Sequence, residues 1–268
     1  MVATQELLCI LSVVGYFVPL CGFLVRYARS RWPVYLFFGF FCVLRIVAYI
    51  LGAYYNSPAV VFGSLRYINL FIADVTLVSI GAIHMLICIG QLYHSIVPKI
   101  FHNHNHTMTA FETFCFVHIR IPFFPFAGCL IAGTILANPT YSLVLQERGV
   151  ILRKFAILML LAISLLFLYI STAYHFRFPE HKAAFATTGT ATFFLTLAVI
   201  YKVITTFDVS TSESVWAAYV FAPLVEVIAL AIFSVDLQTL FLGHTKDQVI
   251  TDEEQGHGEN KTNPTEKH

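Results

Sequence analysis

The chain has 268 residues, of which 58% are hydrophobic and 12% charged, and its mean hydropathy is +0.76. A water-soluble domain is about 45–50% apolar and about 25% charged, so a soluble globule is excluded, and the same apolar content excludes a largely disordered chain. The formal net charge of +1, without a basic run, gives nucleic acid no electrostatic footprint, which leaves a multi-spanning membrane protein.

A helix needs about 20 mostly apolar residues to cross the hydrocarbon core. In chain order the expected spans are about 7–26, 34–55, 67–93, 112–137, 151–174, 184–205 and 215–241. The first of these is not read as a cleaved signal. Residues 1–6 carry Glu6 and no Lys or Arg, and the apolar run Leu7–Val25 is longer than a secretory core of about 7–15 residues. Turn-forming or polar residues separate the rest: Arg29 to Pro33, Asn56-Ser57-Pro58, His102 to Thr107, Asn138-Pro139, Phe178-Pro179-Glu180 and Asp208 to Glu213. The runs do not alternate polar and apolar, so a membrane barrel is excluded in favour of helices. No internal repeat points to an inverted-repeat transporter.

The expected fold class is therefore an all-α transmembrane seven-helix bundle over residues 1–242. From Gly243 to His268 the chain carries six acidic residues and three lysines and almost nothing apolar, which reads as a disordered acidic tail. The positive-inside rule sets the orientation. With the N-terminus outside, nine Lys and Arg face the cytoplasm and five face the other side. The C-terminus is then cytoplasmic. The sequons at Asn105 and Asn260 lie on the cytoplasmic side, and Asn138-Pro139-Thr140 is disqualified by its proline.

All six cysteines (Cys9, Cys21, Cys42, Cys88, Cys115 and Cys129) fall in apolar runs, with no zinc-site spacing. They read as small buried hydrophobes. Gly128, Gly133, Ala127, Ala132 and the stretch Ala184 to Ala191 read as close-packing helix faces. Tyr27, Trp32, Tyr54, Tyr55, Tyr67, Tyr93 and Trp216, near span ends, read as an interfacial aromatic belt.

Familiar receptor signatures are absent. The third span ends Gln91-Leu92-Tyr93-His94, the seventh reads Ala222-Pro223-Leu224-Val225-Glu226, and that span has no lysine for a retinal. Two segments carry a different resemblance. One is Arg31-Trp32-Pro33-Val34-Tyr35 continuing to Arg45-Ile46, a basic turn and an aromatic before an apolar helix with a mid-span arginine. The other runs from Trp216 to Asp236, a last helix with one mid-span acid, Glu226. Both resemble an uncharacterised fungal family of small seven-helix integral membrane proteins. The plan of residues 1–241 is also similar to the fungal lipid-translocating exporter family, which is linked to sterol and drug resistance. That resemblance implies lipid handling. Exporters carry an acid in the second helix and a Glu/Tyr/Asp cluster around the last. Here Arg45 stands in the second helix, and Glu213 and Tyr219 are spaced differently.

Charges inside spans are expensive and usually face the bundle interior in pairs. Arg45 lies about 16 Å along the second helix and Glu226 about 16 Å along the seventh from the opposite end. Both are therefore expected near mid-membrane, as an Arg–Glu pair that is either a structural clasp or part of a ligand or proton path. Asp74, about 10 Å inside the outer end of the third helix, and His84, near mid-span, are further buried polar candidates. Arg120 is expected to snorkel to the cytoplasmic face. Pro122 and Pro125 should kink the fourth helix and open a crevice.

His102, His104 and His106 could converge on a metal if extended, but they equally suit a plain turn, and no metal binding is expected. No pair of acids, Ser with a base, or clustered histidines suggests an enzyme, and no cofactor is expected. The function expected from the sequence is handling or translocating lipids or hydrophobic small molecules at the plasma membrane or an endomembrane, with membrane lipids as partners. A receptor-like sensor and a ligand-free structural protein are the alternatives. A central cavity reaching Arg45 and Glu226 would favour the first. An outward pocket with an inner-face groove would favour the sensor, and a solid bundle the structural role.

Overall fold

The structure, a computed structural model, describes residues 2–57, 59–61, 64–103, 107–114, 118, 120–137, 141–207 and 220–241. All regular structure among them is helical: α1 (Val2–Ser30), α2 (Pro33–Tyr55), α3 (Leu65–Asn103), α4 (Ala110–Thr113), α5 (Arg120–Leu136), α6 (Leu143–Arg177), α7 (Lys182–Phe207) and α8 (Ala222–Phe233). Among the described residues, five helical segments are long and apolar enough to cross a membrane: Glu6–Ser30, Pro33–Tyr54, Leu65–His102, Leu143–Arg177 and Pro179–Phe207. Pro125–Leu136 and Ala222–Phe233 are shorter apolar helices.

The basic turn between the first two helices has a local cause. Arg31 adopts a left-handed φ of 54° and its N–H donates to the Tyr27 carbonyl at 2.8 Å, which ends α1. Pro33 then starts α2 at a position where its missing N–H costs nothing.

The helices run longer than their apolar cores. α3 continues to Asn103 through Pro98, where the sequence suggested an end near 93. Leu92, Tyr93, Ile96, Val97, Ile100 and Phe101 are all buried and keep helical spacing, so packing carries the helix onward. α6 begins at Leu143 rather than near 151, and in this added stretch Gly149 is buried against the end of α5. A Cβ on Gly133 would sit 2.7 Å from the Arg153 nitrogen, and one on Gly149 would sit 2.5 Å from the Ala137 nitrogen. These two glycines set the closest approach of α5 and α6. Gly128, expected to do the same, has open space around it.

Residues 112–137 do not form one described helix. A capping box on Thr109 and Glu112 starts α4, and α5 begins at Arg120 with Pro125 inside it. The last expected span is also interrupted. α8 ends at Phe233, and Asp236 accepts from the Thr239 backbone N–H at 3.2 Å to start a separate helical turn, 237–241. The acidic tail, Trp216, both sequons, Cys115, His104 and His106 lie outside the described residues.

Seven of these helices close a ring: α1 packs on α2, α2 on α3, α3 on α5, α5 on α6, α6 on α7, α7 on α8, and α8 back on α1. On α1 the two faces separate cleanly. Cys9, Tyr16 and Phe23, seven apart, are fully buried, while Leu7, Leu11, Val14 and Val18 are more than half exposed. An apolar stripe of that size facing outward marks contact with lipid. Inside, Phe38 of α2 stacks on Phe23 of α1 and on Phe233 of α8, with ring centroids 5.3 and 4.7 Å apart. Tyr93 belongs to this interior and not to an interfacial belt. It is buried, stacks on Phe167 and hydrogen-bonds the Ser171 hydroxyl. The five described cysteines are unpaired.

A candidate site: the charged cavity inside the ring

Arg45 sits at mid-helix on α2, 1% exposed. Its Nη2 donates to Glu226 Oε1 on α8, and its Nη1 donates to the Val78 carbonyl of α3 at 2.8 Å. Gly81, one turn along α3, makes room for this: a Cβ there would lie 3.2 Å from the guanidinium. Phe41, one turn back on α2, places its ring 5.2 Å from Arg45 Cζ and receives the cation on its face.

Glu226 is 5% exposed, and its other oxygen accepts from Tyr16 Oη of α1 at 2.7 Å. Tyr16 in turn stacks on Tyr49 of α2, centroids 5.7 Å apart. One carboxylate thus ties α1, α2 and α8 together. A buried ion pair is stable only when such additional hydrogen bonds replace lost water.

Beside the pair lies a cavity of about 330 Å³. Its polar lining comprises Arg45, Glu226, Asp74, Arg153, Tyr201 and Lys202, with Tyr49 and the threonines Thr205 and Thr206. Phe71, Val75, Leu130, Ile157 and Leu160 supply apolar wall. The lining comes from the C-terminal half of α2, the first half of α3, Leu130 of α5, the first half of α6, the end of α7 and the start of α8. All of these lie in the half of the ring that holds the start of α1.

Lys202 Nζ donates to the same Val78 carbonyl as Arg45, at 3.2 Å. The Arg45 and Lys202 nitrogens are therefore no more than 6.0 Å apart, the two bonds laid end to end. Among the described residues neither Lys202 nor Arg153 has a carboxylate partner. Arg153 Nε and Tyr201 Oη are buried without a hydrogen bond.

The sequence candidates separate accordingly. Arg45, Glu226 and Asp74 meet at this cavity. His84 does not: its Nε2 bonds the Phe37 carbonyl of α2 at 3.0 Å, and Phe40 packs edge-on against its ring at 5.0 Å. The Arg120 and Pro122 side chains lie outside the described residues, and His118 is exposed. No three His, Cys, Asp or Glu side chains gather among the described residues.

Arg153, Lys202 and the tyrosines Tyr16, Tyr49 and Tyr201 escaped the sequence reading. Both cations stand near span ends, and Lys202 stands inside the expected 184–205 run. That position was the available signal.

A second cavity, of about 210 Å³, lies at the opposite end of α6. There Glu112 accepts from Tyr174 Oη at 2.9 Å and from Arg177 Nη1 at 2.7 Å. Partial burial pushes the Glu112 carboxyl up, but the Thr109 N–H and hydroxyl, Tyr174 and Arg177 outweigh it and hold the group below its ordinary value.

Long apolar helices, a lipid-facing outer surface and a buried Arg45–Glu226 ion pair define a multi-pass membrane protein. Comparison with protein-family models, curated proteins and solved structures finds no match to this chain.

Proposed function

We propose that this is a seven-span membrane protein, N-terminus outside and C-terminus cytoplasmic, that takes a hydrophobic or amphipathic small molecule or lipid into its interior cavity and carries it between the leaflet and the far side. The observation that carries the reading is the cavity of about 330 Å³ reaching Arg45 and Glu226 from inside the helix ring. Small-molecule sites run from roughly 300 to 1,000 Å³, with apolar walls and a few convergent polar groups, and this cavity has that make-up. A structural protein has no use for such a space. The plan that resembles fungal lipid-translocating exporters agrees with a lipid cargo.

A second reading is a membrane sensor. It is favoured by the separate cavity at the opposite end, bounded by Glu112, Tyr174 and Arg177. A sensor binds without moving its ligand, so transport separates the two.

The test is reconstitution into phosphatidylcholine liposomes with a fluorescent short-chain lipid in the inner leaflet. The carrier reading expects faster appearance of the label outside than in protein-free liposomes. It also expects loss of that gain in Ala82→Phe, which fills the cavity wall. Equal rates with and without protein would sink the carrier reading, and saturable binding without movement would favour the sensor.

A further inference from the structure

We propose that the cavity recognises the anionic head, carboxylate or phosphate, of an amphipathic molecule, and that Arg153 and Lys202 hold that head. The inference rests on the cavity being a ligand site, as proposed above, and adds the chemistry of what enters.

The argument is a charge count. Among the described residues, five ionisable Lys, Arg, Asp and Glu side chains line the space: Arg45, Arg153 and Lys202 against Glu226 and Asp74. Glu226 is committed to Arg45 and Tyr16. Arginine cannot lose its proton in a protein, so Arg153 is a permanent cation with no carboxylate partner among the described residues. Lys202 has one backbone carbonyl, and that carbonyl is shared with Arg45. An uncompensated cation away from water is costly. An anion arriving between α6 and α7 would offset it and would accept from Arg153 Nε and Tyr201 Oη, both buried and unbonded. The planar guanidinium suits the two-oxygen edge of a carboxylate or phosphate.

Apolar wall from α5 and α6, Leu130, Ile157 and Leu160, lies beside these donors. A hydrocarbon tail gains by covering it. Asp74 lies on the α2–α3 side, where its carboxylate oxygens are 3.8 and 3.9 Å from the Cβ position of Gly52. The cation pair, by contrast, belongs to α6 and α7.

The experiment uses the full chain in phosphatidylcholine nanodiscs and measures binding of dodecanoate, dodecyl phosphate, dodecanol, dodecylamine and inorganic phosphate. The anionic amphiphiles should bind at least about tenfold more tightly than dodecanol or dodecylamine, the factor expected from one charge-assisted hydrogen bond. Inorganic phosphate binding as tightly as dodecyl phosphate would keep the anion site and assign it to a soluble anion. Arg153→Gln with Lys202→Gln should lose the preference for anions, and Arg153→Lys should retain most of it. Dodecanol or dodecylamine binding as well as dodecanoate would overturn the inference while leaving the cavity a ligand site. Failure of every amphiphile to bind would remove the ligand-site reading itself. The head-group series needs only the wild-type protein, so a variant that does not fold leaves the test intact.

Discussion

Arg45 and Glu226 stand 181 positions apart in the chain and form a buried ion pair between α2 and α8. α8 reaches α2 through this bond and through the stacking of Phe38 on Phe233. Removing one partner strands the other ion, and breaking a buried pair costs about 3–5 kcal/mol in soluble proteins. Arg45→Leu and Glu226→Leu should each lower detergent thermal stability strongly. Glu226→Gln, which keeps an acceptor for Arg45, should lower it less. The Leu double variant should recover much of the loss. Strictly additive losses would mean that the two side chains do not meet.

Tyr16 should matter for the same carboxylate. Tyr16→Phe keeps the ring stacked on Tyr49 but takes the donor from Glu226 Oε2. A hydrogen bond to a charged group contributes about 1.5–3 kcal/mol. Thermal stability should fall in the wild type and change little in Glu226→Leu. An equal fall in both backgrounds would argue for lost packing and against the bond.

Three glycines on neighbouring helices should give three different answers to alanine. At Gly149 the new Cβ meets the Ala137 backbone nitrogen at 2.5 Å and the Leu136 backbone of α5 at 2.8 Å, which cannot yield without moving a helix, so Gly149→Ala should cost about 1–3 kcal/mol. Gly81→Ala presses on the Arg45 guanidinium at 3.2 Å. It should cost less, and should weaken the Arg45–Glu226 coupling measured by the double variant. Gly128 faces open space, so Gly128→Ala should be neutral or stabilise by up to about 1 kcal/mol through helix propensity. Melting temperatures of the three variants give the order, and a Gly128→Ala that destabilises as much as Gly149→Ala would refute the packing described for α5 and α6.

Glu112 predicts a pH dependence. Its folded value is held below the ordinary 4.5, so its stabilising contribution is present above that pH. The contribution is lost as pH falls through the lowered folded value. The acid limb of thermal stability, measured from neutral pH down, should be shallower in Glu112→Gln below about pH 4.5. Superimposable limbs would show that the contact with Tyr174 and Arg177 does not hold in solution.

The proposed seven-span, N-outside arrangement would leave Asn105 and Asn260 in the cytoplasm, where neither acquires a glycan. Glycosidase treatment of protein from a eukaryotic host should not shift its mass. A shift abolished by Asn260→Gln would put the C-terminus outside and invert the orientation.

Part of the site was legible in the sequence because isolated ions in long apolar runs have no inexpensive place except against one another. Arg45 and Glu226 stood out on that ground, and helical rise alone put both at similar depth. Asp74 was visible as a polar residue, but its place at the cavity was not. Arg153 and Lys202 were not legible as cavity residues for a physical reason. Near a span end a long cationic side chain can reach the interface by snorkelling, and only the rotation of its helix decides whether it turns outward or into the ring. The extension of α3 past Pro98 was missed because the apolar run was read as the helix, whereas a buried stripe continues beyond it.

Composition and hydropathy by themselves determined the solvent: with so little charge and so many long apolar runs, the chain must fold as helices in a membrane, because backbone groups there have to be satisfied within each segment. That result is local and additive along the sequence. The cavity is neither. It exists because α8 closes the ring onto α1, because Gly133 and Gly149 bring α5 and α6 together, and because the turns of α6 and α7 point two cations at the same space. Each of these depends on helix rotation and on contacts between residues far apart in sequence, so only the tertiary structure decided where the unpaired charge would lie.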